Sequence, residues 1–204
     1  MAYFPFFVEL EGKQGLVVGG GTVALRKLQK LLPYGPRLTA AATSFLPAVR
    51  ELDGIDCMET PYCPQLLENM DFVIAATDDL ALNRRIAEDC RCRRILVNVV
   101  DDKESCGFLF PALVKRGELS VGISTGGASP SAAVYMKERI AESLPEDFEA
   151  ILTYLSDIRE TVKAAVPEPH RSAVFKALFD DCMERGRPLT EAEASRLLEG
   201  AAKP

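Results

Sequence analysis

Histidine is nearly missing from this chain: His170 is the only one in 204 residues. Six cysteines are present, but none forms a Cys-x-x-Cys pair and only Cys90 and Cys92 are close. Tetrahedral zinc sites draw on clustered Cys and His, so no protein-held metal is expected. His170 follows Pro169 at the start of a helical stretch and reads as a surface residue, and the cysteines read as reduced, semi-buried thiols. Basic excess is missing too. Lys and Arg number 24 against 30 Asp and Glu, a formal net charge of −6. That balance argues against general nucleic-acid binding, which shows as a basic chain or a basic face. No apolar run reaches the roughly 18 residues of a membrane helix, so no membrane partner is expected. The first ten residues, "MAYFPFFVEL", have no basic stretch ahead of the apolar ones. They do not read as a secretory leader, and a cytoplasmic location is expected. Internal repeats and low-complexity segments are absent as well.

Apolar residues make up 48% of the chain, enough for a sizeable core. Between residues 14 and 100, short apolar runs alternate with helical patterns. "QGLVVG", "RLTAAA", "IDCMET", "DFVIAAT" and "RILVNVV" read as five strands. "VALRKLQKLLPYG", "SFLPAVRELDG", "CPQLLENM" and "DDLALNRRIAEDCRC" read as helices between them. Strands that are apolar throughout are buried on both faces, as in a parallel sheet covered by helices. The expected fold class is α/β, with a doubly wound parallel sheet. After residue 100 the pattern changes. "FLFPALVKRGELSVGIST" reads as two extended runs joined through Arg116-Gly117, and "TGGASPS" as a glycine-rich turn with Pro130 opening a helix. From Asp147 the chain reads as all-helical. "DFEAILTYLSDIRETVKAAV" is one amphipathic helix broken by "PEP", a second closes at Gly186, and a third opens on a Thr190/Glu193 capping box.

The most specific feature is Gly19-Gly20-Gly21-Thr22-Val23-Ala24, a G-x-G-x-x-A pattern between a strand and a helix. The first glycine makes the tight turn, and the absent Cβ at Gly21 lets the backbone approach a pyrophosphate. Ala24 lets the helix pack close to the sheet, and the helix N-terminus offers N–H groups to the phosphates. The plain alternative is a tight turn with no ligand. An acid normally follows about 20 residues on, at the end of strand two, to hold the ribose. Here that end carries Thr43 and Ser44 after three alanines. Their hydroxyls are candidate ribose partners. Arg37, the only nearby candidate for a 2′-phosphate, lies at the wrong end of the strand, so NAD is expected over NADP.

In such sheets chemistry sits at the C-terminal strand ends. Three of these ends are polar: Thr77-Asp78-Asp79, the run Asn98 to Lys103 with Asp101 and Asp102, and Ser124-Thr125 with Ser129. A strand-end carboxylate is a candidate general base. Asp78 and Asp79 read more simply as caps of the next helix. Asp101 is not followed by a helical pattern and stands as the stronger candidate. Thr125 to Ser131 has the even alternative of a plain helix start.

"FPFFVELEGKQGLVVGGGTVALRKLQKLLPYGPRLT", "FVIAATDD", "NVVDD" and "FLFPALVKRGELSVGISTGGASP", in order over about residues 4–145, resemble the siroheme synthase N-terminal module family. That family comprises precorrin-2 dehydrogenases, some of which are also sirohydrochlorin ferrochelatases. The resemblance implies a Rossmann NAD-binding domain over residues 1–112, a central homodimerisation segment over 113–145, and a small helical C-terminal domain over 146–204. It implies that precorrin-2 gives up two electrons and protons, with NAD as acceptor, to form sirohydrochlorin, and that bifunctional members then insert Fe²⁺ as a substrate. The family's catalytic aspartate falls on Asp101. Its cofactor contacts fall on Gly19, Gly20, Gly21, Thr22 and Val23, with Thr43 and Ser44. Ser124 and Thr125 are the implied substrate-binding residues, and Asn98 at the end of strand five and the basic Lys103 are taken with them as substrate-binding candidates. Two departures stand out: Thr125 replaces a second serine, and Cys106-Gly107 precedes Phe108 where the family usually has Asn or Ser.

The substrate carries eight carboxylates, so an acidic chain must gather basic groups locally. Lys103, Lys115, Arg116, Lys137 and Arg139 are candidates, each with the alternative of an ordinary surface charge. The competing function is a non-catalytic dinucleotide-sensing module whose helical tail binds a partner. A sensor has no need of a strand-end aspartate together with STGGASP, and that pair favours the enzyme.

Overall fold

The five apolar runs form the parallel sheet that their composition predicts. β1 (Gln14–Val18), β2 (Arg37–Ala42), β3 (Ile55–Glu59), β4 (Phe72–Ala75) and β5 (Leu96–Val99) lie side by side in the order β3-β2-β1-β4-β5, all parallel. Alternate residues of each strand enter different cores, as the period of two requires. Leu16, Val18, Val73, Ala75, Val97 and Val99 pack with Ile86, Ala87 and Cys90 of α3 (Leu80–Arg93). Val17, Ala40, Phe72 and Ile74 pack on the other face with Ala24, Leu28 and Leu31 of α1 (Thr22–Leu31) and with Val49 of α2 (Pro47–Arg50). Both faces are covered, so the sheet is doubly wound and Rossmann-like. The computed structural model describes residues 3–201, and the chain divides into two compact units, this one spanning Phe6–Phe110 and the other made of the residues ahead of Phe6 together with those from Pro111 onward.

The connections are shorter than the sequence pattern predicts. "SFLPAVRELDG" yields only the four-residue α2, and "CPQLLENM" only the 3-10 turn Pro64–Leu67. Pro47 and Pro64 each sit in the first turn, where a missing N–H does no harm. α1 stops where expected: it tightens into the 3-10 turn Leu32–Tyr34 and closes on Gly35 in the left-handed region.

In the second unit, β6 (Ala112–Arg116) and β7 (Leu119–Ile123) form an antiparallel hairpin turned at Gly117. α4 (Pro130–Ser143) packs on both strands. Its N-cap is Ser129, whose Oγ accepts from Ala132 N–H.

The helical tail comprises α5 (Phe148–Asp157), α6 (Arg159–Ala165), α7 (Glu168–Arg185) and α8 (Glu191–Ala201). The expected single helix over 147–166 is two helices. The interruption is one residue, Ile158, whose ψ opens to −9° while it packs against the core of Ile151, Val162, Leu178 and Cys182. No glycine or proline marks that torsion. The Arg171 guanidinium donates to the carbonyls of Val166 and Lys163 and so closes α6. Among the described residues no helix is long and apolar enough to cross a membrane.

The capping box of α8 forms as expected. Thr190 N–H donates to Glu193 Oε2 at 2.8 Å, and Glu193 N–H donates back to Thr190 Oγ1 at 3.4 Å. Arg187 adds a two-pronged contact to the same carboxylate, at 2.9 and 3.0 Å. The Arg187 guanidinium first, and then the Thr190 N–H, hold the Glu193 carboxyl far below the ordinary glutamate range. A depressed carboxylate stabilises the fold fully above its unfolded value, about 4.3, and loses that contribution as pH falls below it. Glu193→Gln is expected to lower the melting temperature of the helical tail at pH 7. The gap to the parent should narrow steadily below about pH 4.3, as followed by circular dichroism at several pH values.

Candidate active site

Between β1 and α1 the chain passes through two positions with no room for a side chain. Gly19 has φ +135°, and a Cβ there would stand 2.3 Å from the Ala76 carbonyl oxygen at the end of β4. At Gly20 a Cβ would meet the Ser44 carbonyl at 2.1 Å. Gly20 is the variable position of the G-x-G-x-x-A pattern, so its requirement comes from the neighbouring loop, whose Leu46 N–H donates to Gly20 O at 2.9 Å. Gly21 differs from both: nothing lies within 4 Å of its missing Cβ. It is the N-cap of α1, with no capping side chain and no acid in the first turn. The first-turn N–H groups at Thr22 and Val23 therefore have no side-chain acceptor, while Ala24 is fully buried against the sheet.

Thr43 and Ser44 follow β2 directly and are exposed beside this turn. The acid missing from the end of β2 has a counterpart one strand over. Glu59, at the end of β3, pairs in register with Ala42 and forms an ion pair with Arg50. The Arg50 guanidinium lies 5.3 Å from the Phe45 ring. Neither residue was marked by the sequence, because strand register decides the placement.

At the end of β4 the buried Asn83 ties down Thr77, accepting from its N–H at 3.2 Å and its hydroxyl at 2.7 Å. Only the second of the two following acids is the cap. Asp79 Oδ1 accepts from the N–H groups of Ala81 and Leu82, and Asp78 is exposed with no part in the cap.

The segment after β5 folds back along that edge strand. Gly107 N–H donates to Val97 O at 2.7 Å. Cys106 Sγ accepts from Val99 N–H at 3.2 Å and lies 3.3 Å from Val99 O. Burial raises the Cys106 thiol above its ordinary value, so it stays protonated and serves as a plug on the strand edge. Asn98, buried on β5, donates to Phe108 O at 3.0 Å and accepts from Lys27 Nζ at 3.2 Å. The two adjacent acids differ. Asp102 accepts from Arg84 Nε at 3.0 Å and from Ser105, and these bonds lower its pKa. Asp101 is exposed and has no hydrogen-bond or ion-pair partner among the described residues. Its φ of +59° puts it in the left-handed region, which Asp tolerates better than most residues. Lys103 is exposed in the 3-10 turn Lys103–Ser105.

The glycine turn, Thr43, Ser44, Asn98 and Asp101 therefore belong to one unit, at the C-terminal rim of one sheet. A surface depression lined by Gln14, Arg37, Thr39 and Asp56 lies at the opposite rim, away from where such sheets bind ligands. Ser124 and Thr125 follow β7 in the other unit and build the turn before α4. Thr125 Oγ1 accepts from Ser129 N–H at 3.1 Å, and Ser124 Oγ accepts from Gly126 N–H at 3.2 Å.

Residues 6–112 match a family model described as "Putative NAD(P)-binding", and residues 116–143 match one described as "Sirohaem biosynthesis protein central". The chain belongs to the siroheme synthase N-terminal module family. A siroheme synthase of Chromobacterium violaceum is 37% identical over 171 residues, covering 82% of this chain and 36% of the relative. One of Methylococcus capsulatus is 40% identical over 178 residues, covering 86% and 38%. The chain thus spans little more than a third of the length of these curated relatives. The solved structure of "SirC, precorrin-2 dehydrogenase" superposes with a TM-score of 0.75 at 24% identity, over 99% of this chain and all of that one, and so shares the fold.

The residues of this family member fit a dinucleotide. The space at Gly21, the uncapped start of α1 and the close packing of Ala24 leave a cradle open to a pyrophosphate, which a side chain at position 21 would obstruct. Among the described residues no three His, Cys, Asp or Glu side chains converge to hold a metal ion. Gly21→Asp is expected to melt within a few degrees of the parent yet lose NADH binding, as measured by fluorescence titration. Gly20→Ala should instead destabilise the fold, since its Cβ meets backbone. Asp79→Ala should cost about 1 kcal/mol in a denaturant titration, and Asp78→Ala less than about 0.5 kcal/mol.

Proposed function

We propose that the chain oxidises precorrin-2 to sirohydrochlorin with NAD, using the rim of the parallel sheet as its site. The observation that carries the reading is the placement of an exposed, unpartnered carboxylate, Asp101, at the same rim as an open glycine cradle. NAD supplies the hydride acceptor. The oxidation removes a hydride and a proton from the tetrapyrrole, and Asp101 takes the proton. Asp102 cannot share that work, because Arg84 and Ser105 occupy it. Gly19 and Gly20 shape the cradle, Gly21, Thr22 and Val23 present N–H groups to the pyrophosphate, and Thr43 and Ser44 take the ribose. Asn98, Lys103, Ser124 and Thr125 are the substrate-side residues of this reading.

The relatives' name, siroheme synthase, favours a second activity, insertion of Fe²⁺ into the product. Loss of two pyrrole protons is then assisted by the same carboxylate. We further propose a cytoplasmic homodimer built on residues 113–145, with 1–112 as the cofactor domain and 146–204 as the helical cap. Supporting this, Val134, Tyr135 and Met136 of α4 are 48%, 56% and 46% exposed, a run of apolar surface that a monomer would leave in water.

The deciding experiment supplies precorrin-2 and NAD, with and without Fe²⁺, and follows NADH and the sirohydrochlorin spectrum. Formation of both is expected, and their absence with a folded protein refutes the reading. Asp101→Asn keeps a residue that tolerates the left-handed turn. It should lower the dehydrogenation rate by about a hundredfold or more with NADH binding unchanged. Sedimentation at micromolar concentration should show a dimer.

A further inference from the structure

One residue of α1 breaks the helix's own pattern. Ala24, Leu28 and Leu31 form its buried stripe, and Lys27 stands half-buried beside Leu28, where an apolar side chain would be ordinary. Its ammonium donates to Asn98 Oδ1 at 3.2 Å and lies 3.8 Å from the centre of the Phe110 ring. No carboxylate comes within ion-pair distance of it among the described residues. An amide oxygen and a ring face hold the cation in place without neutralising it. A partly buried charge with no counter-ion is unfavourable, and such charges are normally paired. Burial, and then Lys30 on the same helix, lower the Lys27 pKa to about 8. Cys106 and Asp101, from the segment after β5, act in the opposite sense without restoring it. The group thus remains mainly cationic at neutral pH, close to the proposed base, and lacks only an anion within ion-pair distance.

We propose that Lys27 anchors one carboxylate of the tetrapyrrole, an assignment that rests on the reading of precorrin-2 as substrate. A cofactor phosphate offers similar chemistry, and the two sources separate in binding experiments. The full chain is titrated with sirohydrochlorin, followed by absorbance, and separately with NADH, followed by fluorescence. Lys27→Met should weaken sirohydrochlorin binding about tenfold or more, the scale of a hydrogen bond to a charged group, and leave NADH affinity within about twofold. Lys27→Arg, which keeps the charge, should recover most of the loss. In the parent protein, sirohydrochlorin binding should weaken as pH rises through about 8, where the free ammonium loses its proton. That slope should vanish in Lys27→Met. Because loss of the Asn98 and Phe110 contacts could unfold the Met variant, the parent's pH titration stands as an independent test. Unchanged sirohydrochlorin affinity in the folded variant, or a flat titration in the parent, overturns the assignment. An equal loss of NADH and sirohydrochlorin affinity overturns it in favour of a phosphate contact. A parent that binds NADH but not sirohydrochlorin overturns the substrate reading, and the anchor with it.

Discussion

Two backbone carbonyls, those of Ala76 and Ser44, stand where the side chains of Gly19 and Gly20 would have to go. This exclusion organises the whole C-terminal rim. It lets the end of β1 pass between the loops that follow β4 and β2, with Gly19 N–H donating to Ala41 O and Gly20 O accepting from Leu46. The turn then has one way to go, and it leaves Gly21 facing open space with α1 starting uncapped behind it. A single larger residue at either of the first two positions would push the three loops apart and misplace the helix.

α1 carries that geometry to the far side of the rim. It packs on the sheet face that also bears Asn98, and Lys27 reaches from it to Asn98 Oδ1 while Asn98 holds Phe108. The segment after β5 is thereby fastened at three levels of one strand: Gly107 at Val97, Phe108 at Asn98, and Cys106 at Val99. The departure from the family at Cys106-Gly107 has a local explanation. A thiol can meet both backbone groups of Val99, and the glycine beside it lies flat along the edge. Asp101 sits at the open end of this strap, and Asp102 is drawn into it by Arg84 and Ser105.

The parallel sheet was legible because strands covered on both faces are apolar throughout, and Val17, Val73 and Ile74 need no partner to declare themselves. The glycine turn and the Thr190/Glu193 capping box were legible for a related reason: each is a short-range rule complete within a few residues. What escaped depends on partners distant in sequence or on single torsions. Glu59 lies next to the end of β2 only through register. Lys27 looks like an exposed helix lysine until Asn98 and Phe110 close over it. Choosing Asp79 over Asp78 as the cap turns on one residue of helix phase. The break at Ile158 is a torsion set by packing, with no glycine or proline to announce it.

The left-handed turn at Asp101 narrows the chemistry open to that position. Glycine, asparagine and aspartate enter this backbone region with little penalty, whereas longer or branched residues resist it. Of those three only aspartate carries a carboxylate that can accept a proton. A change at this site therefore meets two filters at once, one steric and one acid–base, and aspartate passes both. Glutamate, the usual conservative replacement, would add a torsional cost of about 1 kcal/mol to the displacement of the carboxyl by its extra methylene. The fold thus acts as a vocabulary restriction: the shape of the turn narrows the side chains this position carries at low cost, and with them the choice of the base we propose there.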